Sequence, residues 1–228
     1  MKLKKIASLM LAGIMAVSML AACGNANSNG GNGGEGEGEG TQTSGYSTVM
    51  ADELKDALKD KDYITFSDNA TDESSLKAAL NYIGTKAVEA TGVLTTPTNL
   101  NDWTDNGWDE FKATIKKGMG GDSIYWDDDR MSFDYWNNQA GVRNETVKIG
   151  AVYAVDGNIG ETESVKMIAD KLEAAIAGLE ESVEVTTASN KGTLKYDYSY
   201  VISVSVANKT IGDYSADFVL VTATRNVD

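Results

Sequence analysis

Residues 196–220 read YDYSYVISVSVANKTIGDYSADFVL, and their alternation decides the fold. Tyr196, Tyr198, Tyr200, Ile202, Val204 and Val206 fall on one side of an extended chain. Asp197, Ser199, Ser203 and Ser205 fall on the other, with Val201 the exception. Successive side chains of a strand point to opposite faces, so this period predicts a strand with one apolar face. After the turn-prone stretch 208–213, Tyr214, Ala216, Phe218 and Leu220 repeat the pattern. Shorter strands are expected at 183–187 and 147–154. Together they predict an antiparallel meander whose apolar face must be covered.

Working outward, the cover is legible too. Over 162–180, Val165, Ile168, Leu172, Ile176 and Leu179 mark one stripe, with Glu161 and Glu163 at the positive end of that helix. A second helix is expected at 49–60, with Met50, Leu54, Ala57 and Leu58 on one face. A third is expected at 72–90, interrupted by Gly84, and a fourth at 107–117, where Trp108, Phe111 and Ile115 are spaced by three and four. The expected fold is α+β, helices packed on one face of a curved antiparallel sheet. It fills one domain from 46 to 228, with an aromatic-rich subdomain at 100–137.

Ahead of that domain the composition changes. Lys2, Lys4 and Lys5 precede an uncharged apolar run from 6 to 22, shorter than the roughly 20 residues a spanning helix needs. The run ends in Leu20-Ala21-Ala22-Cys23-Gly24. This resembles a bacterial lipoprotein signal with its lipobox. The resemblance covers residues 1–23 only. It implies cleavage before Cys23 and attachment of diacylglycerol to its sulfur, with acyl chains such as palmitate anchoring the protein outside the cytoplasm. Cysteine suits that role because a thiolate is a good nucleophile for alkylation, and two acyl chains hold a protein where one does not. Residues 24–45 contain nine glycines among 22 residues. They have no large apolar side chain to offset the entropy of ordering, so 23–45 is expected to be a flexible tether.

Charge and residue usage exclude whole classes of function. The chain has 228 residues, 20 Lys plus Arg against 34 Asp plus Glu, no histidine and one cysteine. Without histidine there is no Ser-His-Asp or Cys-His pair, and without a second cysteine no intramolecular disulfide. Removing 1–22 takes three lysines away and leaves a net charge of −17. Such a surface repels nucleic acid. No catalytic residue is assigned and no cofactor is implied.

Chemistry concentrates in 102–136, which holds eight of the 18 aromatic residues and nine carboxylates. Aromatic faces beside acidic acceptors are what a sugar-binding surface needs, so Trp103, Trp108, Trp126, Trp136, Tyr125 and Tyr135 are candidate glycan contacts. The competing expectation is that these rings fill a core. A metal site would have to be built from oxygen, favouring calcium, and Asp127, Asp128 and Asp129 are the candidate ligands. Asp102 to Gly107 resembles the opening of an EF-hand loop, but the twelfth position is Ala113, where a bidentate Glu is required. A glycan hydrolase using two acids from Glu110, Asp127, Asp129 and Asp134 is the enzymatic alternative. A third possibility is a sheet edge along 196–206 that pairs with a surface-protein partner. The leading expectation is a non-enzymatic binding or structural module, lipid-anchored at a bacterial cell surface.

Overall fold

The computed structural model describes residues 45–100, 103–104, 106–120, 124–125, 144–186 and 192–227, the pair 124–125 by backbone alone. Along the chain run α1 (Tyr46–Leu54), β1 (Ile64–Phe66), α2 (Ala70–Ala79) continued by a 3-10 turn at Leu80–Tyr82, and α3 (Thr85–Thr91). Next come β2 (Thr98–Asn99), α4 (Trp108–Gly118), β3 (Ile124–Tyr125) and β4 (Val147–Asp156). The last elements are α5 (Glu161–Ala177), β5 (Ser182–Thr186), β6 (Thr193–Ile211) and β7 (Tyr214–Val227).

The spine is the hairpin of β6 and β7, whose register runs unbroken from Tyr198 opposite Val227 to Ile211 opposite Tyr214. The expected turn at 208–213 shrinks to two residues, Gly212 and Asp213. Gly212 has φ +62° and Asp213 does not share that region, as in a II′ turn that places glycine first. β4 lies antiparallel to β7, and β2 continues the sheet antiparallel to β4. β3 runs parallel to β4, while β1 runs parallel to β6 on the opposite edge. β5 pairs with the first residues of β6. The fold is α+β, built on an open mixed sheet.

Helices lie on both faces of this sheet, where the sequence predicts one covered face. On the first face Tyr153, Tyr198, Tyr200, Ile202, Val204, Val219 and Val221 meet Met50 and Leu54 of α1 and Val165, Ile168 and Leu172 of α5. On the second, Val152, Ala154, Phe218 and Leu220 meet Leu76 of α2, Val88 of α3, and Trp108, Phe111 and Ile115 of α4. The reason for the departure lies in β6. Ser203 and Ser205 read as a solvent face, yet they are buried. Small residues let a helix backbone come close, so a polar alternation is compatible with burial. The signal for a doubly covered sheet was present in the continuous apolar runs 149–155 and 218–221.

Two other helices differ in extent. The one expected at 49–60 stops at Leu54, and the following turns include Asp60 at φ 70°. The one expected at 72–90 breaks at Ile83–Gly84, both extended, and restarts as α3. β1, β2 and β3 are two or three residues long, too short to leave a period in the sequence.

One polar knot ties α2 to the sheet. Asp72, with no exposed surface, accepts from Lys148 Nζ at 2.6 and 2.8 Å and from Thr222 Oγ1 at 2.8 Å. Lys148 comes from β4 and Thr222 from β7, so three elements meet at one carboxylate. Gly107 makes the neighbouring corner feasible. At φ +94° it occupies the left-handed region, and a Cβ there would strike the carbonyl of Tyr82.

Candidate functional site

β1 follows the edge of β6 only as far as Phe66, opposite Ile202. Beyond that point the edge opens as a groove of about 380 Å³ floored by Val206, Ala207 and Asn208. One wall carries Tyr46 and Glu161, the first residues of α1 and α5. The other carries Glu73, Lys77 and Leu80 of α2 and its 3-10 continuation. The groove is thus a slot between the two helical layers, at the rim of the sheet.

Side chains fasten the start of α1 beside the groove. Asp68 substitutes for a missing cap on α1, accepting from the main-chain N–H of Gly45 at 2.8 Å and of Ser47 at 3.1 Å. Ser47 Oγ in turn accepts from the N–H of Val204 at 2.9 Å. The Tyr46 hydroxyl donates to the Glu161 carboxylate. Burial, then that hydrogen bond and the charges of Glu161, Asp217 and Glu73, hold the phenol well above the usual tyrosine range. Tyr46 therefore remains a donor at any physiological pH. Glu73 pairs with Lys77 at 2.6 Å, one turn along α2.

Behind Asn208 sits a buried acid. Asp217, with no exposed surface, accepts from Ser164 Oγ and from Asn208 Nδ2, each at 2.7 Å. Burial pushes its carboxyl up, against the lowering effect of those two hydrogen bonds, and Glu161 and Asp156 add to the rise. A carboxyl raised above its ordinary 3.8 favours folding most below that pH and progressively less as pH climbs through its folded value. Asp217→Asn should therefore match the parent in melting temperature near pH 3 and exceed it at pH 7. Melts across that range test this, and a difference independent of pH would refute it.

The residues expected from sequence to carry function are dispersed. Trp108 is 2% exposed. Its ring packs edge-on to Trp103 at 5.4 Å and to Phe111 at 5.5 Å, and tilted against Phe218 at 6.1 Å. It has no face to offer a sugar, so its expected glycan role is corrected to a core role. Trp103 is half-buried against it. Tyr125 is placed by its backbone in β3, opposite Ile149. Cys23, Trp126, Trp136, Tyr135, Asp127, Asp128 and Asp129 lie outside the described residues.

The EF-hand-like opening ends at once in α4, with Gly107 as its N-cap and Ala113 well inside the helix. Helix replaces the second half of a ligating loop. Among the described residues no cluster of three or more metal-ligating side chains occurs. The sequence does not bring the groove residues together, because Tyr46, Glu73, Glu161 and Val206 come from α1, α2, α5 and β6. The one available signal was Asp217, a lone carboxylate in the mainly apolar run 216–221.

Chemically, the groove offers the Glu161 carboxylate, oriented by the Tyr46 phenol, on one wall, the Glu73–Lys77 pair on the other, and a floor of Val206, Ala207 and Asn208. It suits a ligand with hydrogen-bond donors or positive charge on an extended body. Compared with models of protein families, with curated proteins and with solved structures, the chain matches none.

Proposed function

We propose that this chain is a lipid-anchored protein on the outer side of a bacterial cytoplasmic or outer membrane, and that its domain is a binding module. The observation that carries the reading is the order of Lys2, Lys4 and Lys5, the apolar run 6–22 and Leu20-Ala21-Ala22-Cys23. Residues 24–45 then act as a spacer leading directly into Tyr46, which begins α1 and lines the groove.

Binding is favoured over hydrolysis by how the groove acids are used. A glycosidase needs two carboxyls facing one cleft, one of them desolvated. Here Glu161 accepts from Tyr46 and Glu73 pairs with Lys77. The desolvated acid, Asp217, is held by Ser164 and Asn208 behind the floor.

Cys23→Ala is expected to move the protein from the membrane fraction to the soluble fraction or the medium. The parent's N-terminal peptide should begin at Cys23 and carry the mass of diacylglycerol. An N-terminus that starts at Met1 with a free thiol would refute the anchor.

A further inference from the structure

We propose that the open edge of β6 at Val206–Asn208 receives an extended peptide segment bearing a basic side chain, which joins the sheet as an added strand. The first support is the direction of the main chain. Tyr200 N–H donates to Tyr63 O at 2.8 Å, and Ser67 N–H donates to Ile202 O at 2.9 Å. Even-numbered residues of β6 therefore turn their main-chain groups toward the β1 edge, and odd-numbered ones toward β7. Val204 continues the series, donating to the Ser47 hydroxyl. The register with β7 has no slip as far as Ile211, so Val206 and Asn208 turn their N–H and C=O groups to the same side. Among the described strands none lies beside them there.

The second support is the groove itself. It runs along these residues and is walled by both helical layers, so it has the shape of a strand position within a three-layer sandwich. At about 3.3 Å per residue, the two outward-facing residues hold a segment of roughly three to four residues. Unpaired strand edges are usually blocked. Here the Ser47 hydroxyl takes position 204, and no described strand takes Val206, itself buried, or Asn208, which is exposed.

The third support is charge. Side chains of an added strand would alternate between the wall with Glu161, whose carboxylate accepts from Tyr46 and carries no ion-pair partner among the groove residues, and the wall where Glu73 is already paired with Lys77. A basic residue satisfies Glu161, and an apolar neighbour on the other wall meets Leu80. Main-chain pairing supplies the affinity and the walls supply the selectivity, as in other cases of strand addition. The proposal rests on the groove being a binding site and not on the lipid anchor. A soluble, unlipidated chain that bound peptide would uphold it, and a membrane-bound chain that bound none would defeat it alone.

The test uses the full chain in detergent with three probes: acetyl-Val-Lys-Val-Lys-Val-amide, the same peptide N-methylated at alternate amides, and its Glu-for-Lys counterpart. In the free chain, the amides of Val206 and Asn208 should exchange faster than that of Ala207, which faces β7. Saturating basic peptide should slow both at least tenfold. N-methylation, which removes the donors of an added strand, and the Glu counterpart should each cost at least tenfold in affinity. Glu161→Gln should weaken the basic peptide severalfold without lowering the melting temperature, and the peptide controls decide the matter if that variant misfolds. The proposal is overturned if the two amides are already as slow as Ala207 in the free chain. Equal binding of the N-methylated or acidic probe, or no slowing by any peptide, would overturn it too. So would slowing that depends on chain concentration without peptide, which would assign the edge to a second copy.

Discussion

Asp72→Ala is expected to lower the unfolding free energy by about 3 kcal/mol, the low end for breaking a buried ion pair from one side. The cost comes mainly from what is left behind. Lys148 keeps its charge at 17% side-chain exposure, and the Thr222 hydroxyl loses its acceptor. The partial exposure of Lys148 sets the estimate at the low end, because some water reaches its ammonium. Asp72→Asn should cost less, since an amide oxygen still accepts from Thr222 or Lys148. Combining Asp72→Leu with Lys148→Met should regain part of the loss, because the stranded charge is gone. Urea unfolding measures all three. An Asp72→Ala midpoint within error of the parent would mean that the knot contributes nothing to holding α2 on the sheet.

Trp108→Ala should cost about 3–5 kcal/mol, the usual range for removing a large aromatic side chain from a core. Three rings, Trp103, Phe111 and Phe218, pack on that indole, and they come from the loop before α4, from α4 itself and from β7. A cavity there loosens the attachment of α4 to the second sheet face. Trp108→Phe should cost much less, because most of the apolar volume stays. The same pair of variants discriminates a core role from a ligand-contacting one. A stable Trp108→Ala protein with a melting temperature near that of the parent would contradict the packing described above.

Much of the fold was readable from periodicity. Tyr196 to Val206 alternates because its even-numbered residues press on α1 and α5. The stripe Val165, Ile168, Leu172 and Ile176 repeats at three and four because it answers that same surface. The second face was not readable in this way. Its buried residues from β6 include Ser203, Ser205 and Ala207, whose small size rather than hydrophobicity suits close approach of a helix. The break at Ile83–Gly84 was signalled by glycine, but its consequence, a separate α3 packed on β7, depended on the sheet lying beneath it.

The candidate site was less legible still. Tyr46 and Glu161 are 115 residues apart in the chain yet share a hydrogen bond, and Asp68 caps a helix that starts 22 residues before it. Nothing local relates such pairs. The tryptophans drew attention as a cluster in sequence, but an indole with a buried ring reads the same as one on a surface.

By itself the sequence determined the apolar face of the hairpin, the main helical stripes and the net charge of the chain, because each follows from residue identity and the properties of residues near one another. Only the tertiary structure decided that both sheet faces are covered, that Trp108 is core, and that among the described strands none pairs with β6 at Val206–Asn208 between two helical layers. Those outcomes depend on where β1 stops and where α2 lands, and long-range packing sets both.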